Sequence, residues 1–115
     1  MTAGEIAGTS QAGRYPGRAP IEAYGNGGFR FAGMSHRGAI LCLPSAVVAW
    51  RPVDADDITV ADLARIVAER DGIRHLLIGT GVRFSLPAPH LLSALADAGI
   101  GTEAMDTGAA CRTYN

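Results

Sequence analysis

The chain has 115 residues, a formal charge of -1 and 48% hydrophobic residues. That is the size of one ordinary domain, roughly 100–150 residues, with enough apolar material for a core. It excludes wholesale disorder and a general polyanion-binding role. No run approaches the roughly 20 apolar residues of a membrane-spanning helix.

Residues 1–19 are small and polar and read as a flexible tail, followed by a single α/β domain over 20–115. The tail carries Glu5, no continuous apolar run and no amphipathic Arg-rich pattern, so neither a secretory nor an organellar leader is indicated. Every basic residue is Arg. Their scatter along the chain fits compositional bias better than a phosphate-binding device. Cys42 and Cys111 lack a close partner cysteine, which suits a reducing compartment and no disulfide or CxxC chemistry. The expected location is the cytoplasm of a soluble protein.

From Pro20 onward, Ile21–Tyr24, Phe29–Ala32 and Ala39–Leu43 read as short β runs. Asn26-Gly27-Gly28 and His36-Arg37-Gly38 punctuate them as hairpin turns. In Phe29-Arg30-Phe31 the aromatics face one way and Arg30 the other, as in a sheet with one wet face. Ala46–Trp50 is apolar without alternation, the pattern of a strand covered on both faces.

Thr59 opens a helix, with Asp62 three residues on as a relative of the capping box. Val60, Leu63, Ile66 and Val67 share a face, and Gly72 stops it. His75–Ile78 is a second buried strand, ending in Gly79-Thr80-Gly81. A helix from about Pro89 presents Leu91, Leu92 and Leu95 and ends at Gly99. A third buried strand covers about Thr102–Met105, and another helix begins near Thr107. The order strand, helix, strand, helix, strand predicts two parallel βαβ units preceded by antiparallel hairpins.

In a parallel sheet the carboxyl ends of all strands open on one edge, where ligands of such sheets bind. Three segments are therefore expected along one rim. They are Trp50 and Arg51, then Gly79, Thr80, Gly81 and Arg83, then Asp106, Thr107, Cys111, Arg112 and Tyr114. The glycines can expose backbone N–H groups, the helix start adds its dipole, and Arg51, Arg83 and Arg112 add charge, a chemistry suited to a small anion. The plainer alternative makes the glycines tight turns, Asp106 or Thr107 an N-cap, and the arginines solvated. Neither a dinucleotide fingerprint nor a Walker lysine is present.

Cys111 in a first helical turn beside Arg112 has the setting of an activated thiol. No His is local to it, and a small packed residue is the commoner use. Asp106 as a general base competes with Asp106 as a helix cap. Trp50 and Tyr114 read as partly buried walls. His36, His75 and His90 show no metal spacing, so no metal site, cofactor or catalytic residue is assigned. No basic patch interleaved with aromatics points to nucleic acid.

Ile21-Glu-Ala-Tyr-Gly-Asn-Gly-Gly-Phe29, Val48-Ala-Trp50, Leu77-Ile-Gly-Thr-Gly81 and Met105–Asn115 occur in the order and spacing of one known family. The chain resembles the domain-of-unknown-function family that includes mitochondrial complex I assembly factor 3, from about Pro20 to the end. That resemblance implies a three-layer α/β domain with a mixed central sheet and no established enzyme activity. It implies an assembly or interaction protein with a protein partner, in the class of respiratory or membrane-complex subunits, and the tail's lack of a mitochondrial presequence points to a bacterial relative. The alternative is a protein or enzyme that binds a small anionic ligand on the rim. Family members continue the last helix past Tyr-Asn, so here that helix reads as truncated.

Overall fold

The computed structural model describes residues 15–115, which form two compact units, one ending at Val53 and one beginning at Asp54. Residues 1–14 of the expected tail lie outside the described residues. In its remainder, Tyr15–Pro16 form strand β1, and Ala19 is buried.

The first unit is antiparallel β. Its further strands are β2 (Ile21–Gly25), β3 (Gly28–Phe31), β4 (Met34–Arg37), β5 (Ile40–Cys42) and β6 (Ala46–Ala49). One sheet has the order β2-β3-β4, the other β1-β6-β5. Asn26 and Gly27 make the first hairpin turn with φ of 51° and 74°, and Gly25 pairs with Gly28 across it. Two successive positive φ values match the right-handed twist of the flanking strands, which is why Asn-Gly suits this loop.

The second hairpin differs from the sequence expectation. Its turn is Ala32-Gly33, with φ of 50° and 74°, and His36 and Arg37 lie inside β4. Only Gly38, with φ of 96°, keeps the expected role of a break. Alanine carries no turn signal, since a Cβ disfavours the left-handed region. Glu22 compensates from the neighbouring strand: one carboxylate oxygen accepts the Gly33 N–H at 3.1 Å, and the other faces Arg30 Nε at 3.4 Å. The alternation in β3 is as read, with Phe31 buried and Arg30 exposed.

The largest correction concerns β6. The expected first βαβ unit placed it as a parallel neighbour of the next strand. Instead its ladders run antiparallel to β1 and β5. Pro44-Ser45 is a hairpin connection, closed by the Leu43 N–H donating to the Ala46 carbonyl at 2.8 Å. An apolar run announces burial on both faces, but it carries no information about which strand lies alongside. Ala46, Val47 and Val48 are indeed buried.

The second unit is mixed α/β. Its strands β7 (His75–Gly79) and β8 (Gly101–Met105) pair in parallel, from His75 beside Gly101 to Gly79 beside Met105. This is the one parallel pair among the described residues. Its crossover contains helix α2 (Pro89–Asp97), and helix α3 (Thr107–Tyr114) follows β8. Helix α2 packs on β8, and α3 packs on both strands. Pro89 starts α2 as expected, and Gly99, with φ of 80°, ends it.

Ile78 is the one buried residue of β7, and β8 has none. Both strands were expected to be buried. Among the described residues the ladder has two strands, and a short apolar run does not by itself fix how fully its faces are covered.

The segment after Thr59 is less regular than a single helix. A 3-10 turn over Val60–Leu63 leads into a short α1 (Ala64–Ala68), and a second 3-10 turn covers Arg70–Gly72. The Asp62 carboxylate accepts from the Thr59 N–H at 2.8 Å and from its hydroxyl at 3.0 Å. Three residues per turn instead of 3.6 rotates the first turn relative to α1. Leu63 and Ile66 are buried, whereas Val60 lies outside the expected face and is exposed.

Candidate functional site

The parallel register sets Gly79 beside Met105 at the carboxyl end of the ladder. The two segments that leave it, Gly79–Arg83 and Asp106–Arg112, are joined by a dense set of hydrogen bonds. The Thr80 N–H donates to the Met105 carbonyl at 2.8 Å. The Gly81 N–H donates to Thr107 Oγ1 at 2.9 Å, and the Thr107 N–H returns to the Gly81 carbonyl at 2.8 Å. Gly79 permits the close approach: a Cβ there would stand 3.2 Å from Thr107 Cα and 3.2 Å from Ala110 Cβ. Gly81 has φ of 109° and open space around it, so its conformation, rather than crowding, calls for glycine.

Thr80 is the buried polar residue of this junction. Its hydroxyl lies within donating distance of the carbonyls of Arg83 (3.1 Å) and Met105 (3.2 Å) and accepts the Ser85 N–H at 3.0 Å. One hydroxyl thus ties the turn after β7 to the end of β8. Asp106 is the N-cap of α3, with Oδ1 accepting the Ala109 N–H at 2.8 Å. A short side chain in extended backbone just before a helix is suited to that task.

These bonds engage several of the rim's backbone donors. The N–H groups of Thr80, Gly81, Thr107 and Ala109 are all donated within the protein. They belong to the loop and helix start on which the alternative reading sets a small anion. Arg83, Arg112 and Tyr114 remain exposed side chains. Trp50 and Arg51 follow β6 in the first unit, whereas Gly79–Arg83 and Asp106–Arg112 belong to the second.

Cys111 is buried, and desolvation pushes its thiol up from the ordinary value against the opposing charge of Arg112. The neutral form is favoured, contrary to the activated thiol considered from sequence. The histidines belong to different elements. His36 Nε2 approaches the Ala39 carbonyl at 3.2 Å, His75 pairs with Glu103 at 3.5 Å, and His90 lies in the first turn of α2. Among the described residues no cluster of three or more His, Cys, Asp or Glu could hold a metal ion.

One feature beside the rim was missed from sequence. Val82, Phe84 and Leu86 are 98%, 58% and 68% exposed, in a segment otherwise held in place by Thr80. The pattern Val-Arg-Phe-Ser-Leu puts an apolar residue at every second position. That alternation was the available signal, hidden because the segment reads as a link between strand and helix.

The fold and rim thus define a small mixed α/β protein whose ladder-end loops are closed on themselves and present side chains outward. The chain belongs to the family described as Protein of unknown function (DUF498/DUF598), matched over residues 21–115. It is 34% identical over 95 residues to the bovine (Bos taurus) NADH dehydrogenase [ubiquinone] 1 alpha subcomplex assembly factor 3, covering 83% of this chain and 52% of that protein. The chain therefore spans about half the length of that relative. An uncharacterised protein of Rhodobacter capsulatus is 35% identical over 101 residues, 88% of this chain and 76% of its own length. The crystal structure of an outer membrane protein from Bartonella henselae superimposes with a TM-score of 0.83 at 48% identity, covering 88% of this chain and 85% of that one. The family resemblance read from the glycine motifs is thereby established. Among the described residues no helix is long and apolar enough to cross a membrane.

Proposed function

We propose that this protein is a bacterial, non-enzymatic interaction protein that assists the assembly of a respiratory or other membrane complex. The observation that carries this reading is its 34% identity to the bovine assembly factor across 83% of the chain. Arg83, Arg112 and Tyr114, exposed on the rim, are the side chains we assign to partner contact. Sparse cysteine usage, with only Cys42 and Cys111 and no close spacing between them, supports a reducing, cytoplasmic location.

No observation favours an anionic metabolite as the rim's occupant. The backbone donors of Thr80, Gly81, Thr107 and Ala109, which such a ligand would draw on, already have protein acceptors. An anion would have to displace bonds worth about 0.5–1.5 kcal/mol each.

The test is made in a bacterium that expresses this protein, by deleting its gene and measuring fully assembled respiratory NADH dehydrogenase on native gels. Assembly should fall, and the native chain should restore it. Arg83→Glu combined with Arg112→Glu should restore it poorly while remaining folded. Unaltered assembly in the deletion strain would overturn the reading.

A further inference from the structure

We propose that Val82–Leu86 is a preorganised docking loop for a polypeptide partner that offers apolar side chains beside a carboxylate. Val82, Phe84 and Leu86 are 98%, 58% and 68% exposed and occupy alternate positions of one segment. Single exposed apolar residues are ordinary, but three large ones within five residues of one loop point to an interaction surface. Connecting β7 to α2 does not require Val, Phe and Leu here, because most of their surface stays in water.

The loop is also held. Thr80 Oγ1 fixes the Arg83 carbonyl and the Ser85 N–H, Gly81 is tied to Thr107, and Pro87 beyond the loop is fully buried. A segment fixed before binding loses little conformational freedom when a partner closes on it, and that raises affinity for a given contact area. Phe84 is the natural anchor, since a few large side chains carry most interface energy.

Arg83 supplies the polar half of the argument. It is exposed between Val82 and Phe84, and within the described residues its guanidinium has no ion-pair partner. Arginine is enriched in interfaces because its fork binds a carboxylate in two places while its plane lies against apolar groups. Arg83 is adjacent in the chain to both Val82 and Phe84, and a carboxylate on the partner would compensate for any hydration its guanidinium loses on binding.

A membrane surface is the competing occupant of such a loop. Residues 54–115 carry nine carboxylates and five arginines, a formal charge of -4. That balance opposes an extended sheet of anionic headgroups, whereas one carboxylate at short range meets Arg83 alone. Naming a protein as the occupant rests on the assembly reading above.

The probes are overlapping peptides that cover the subunits of the cell's own respiratory NADH dehydrogenase, read by fluorescence polarisation against the whole chain. Binding peptides should share large apolar residues next to Asp or Glu. Phe84→Ser should weaken them about tenfold or more, with only a small change in melting temperature because more than half of the residue is exposed. Arg83→Glu should abolish binding, and replacing the peptide's carboxylate with Arg should restore it. Three results overturn the assignment: no peptide binds, both variants bind as the native chain does, or Phe84→Ser abolishes only co-sedimentation with phosphatidylglycerol vesicles or self-association in the ultracentrifuge. If cross-linking of the Phe84→Ser chain to NADH dehydrogenase subunits persists in cells, the assembly role stands and the loop assignment falls.

Discussion

Gly81 and Thr107 exchange two hydrogen bonds, one from the Gly81 N–H to Thr107 Oγ1 at 2.9 Å and one from the Thr107 N–H to the Gly81 carbonyl at 2.8 Å. The residues are 26 positions apart in the chain. Their pairing locks the turn after β7 to the start of α3, and with it the geometry of the rim.

Removing the threonine hydroxyl should loosen that lock. Thr107→Val keeps the shape and leaves the Gly81 N–H without an acceptor in a partly buried place. The expected loss is about 1–3 kcal/mol, since an unsatisfied donor forfeits its hydration as well as its bond. Thr107→Ser should recover most of it. Urea unfolding of the three proteins checks this, and equal midpoints for Val and the native chain would refute it.

The two glycines of the turn should respond to alanine for different reasons. Gly79→Ala brings a Cβ to 3.2 Å from Thr107 Cα and Ala110 Cβ, so α3 must shift. Such overpacking costs about 1–3 kcal/mol. Gly81→Ala meets no atom within 4 Å but must hold φ near 109°, a strain of about 1–3 kcal/mol. The discriminating readout is amide exchange along α3. It should quicken across the helix in Gly79→Ala and stay near native in Gly81→Ala apart from the turn.

How much of this was legible follows from the range of each interaction. The Asp106 cap, the Asp62–Thr59 bonds and the Pro89 start of α2 lie within three or four residues, so sequence spacing revealed them. Asn26-Gly27 was readable because the residue types match the φ values. Ala32-Gly33 was not, because alanine has no preference for φ of 50° and the support comes from Glu22 on another strand. The partners of β6 were hidden for a related reason: apolar runs specify burial, and neighbours are chosen by the hairpin at Pro44-Ser45. At the rim, topology brought Gly79–Arg83 to Asp106–Arg112. It could not tell that the donors there would find acceptors within the protein.

Thr80 should govern the order of the exposed loop. Thr80→Val removes the link from the buried hydroxyl to the Arg83 carbonyl and the Ser85 N–H. Global stability should fall by about 1–3 kcal/mol, and chymotrypsin should cut after Phe84 several times faster. Cleavage at the native rate in Thr80→Val would show that Pro87 and Gly81 suffice to hold the segment.

The thiol of Cys111 should be a poor nucleophile in the folded protein. Burial is the main cause that pushes it up from 9.0, and Arg112 opposes this. In a Cys42→Ser background, iodoacetamide should modify Cys111 far more slowly in the native chain than in urea at the same pH, because the thiolate is the reactive form. The stability consequence has a definite sign. A raised folded value means the unfolded chain releases this proton first. The stabilisation is therefore complete below the unfolded value and declines as pH climbs past about 9 toward the folded one. Cys111→Ala should flatten that alkaline decline in urea midpoints measured between neutral pH and the upper end of the range. If Cys111→Ala leaves the slope unchanged while native Cys111 alkylates as fast as the unfolded thiol, burial does not control its chemistry.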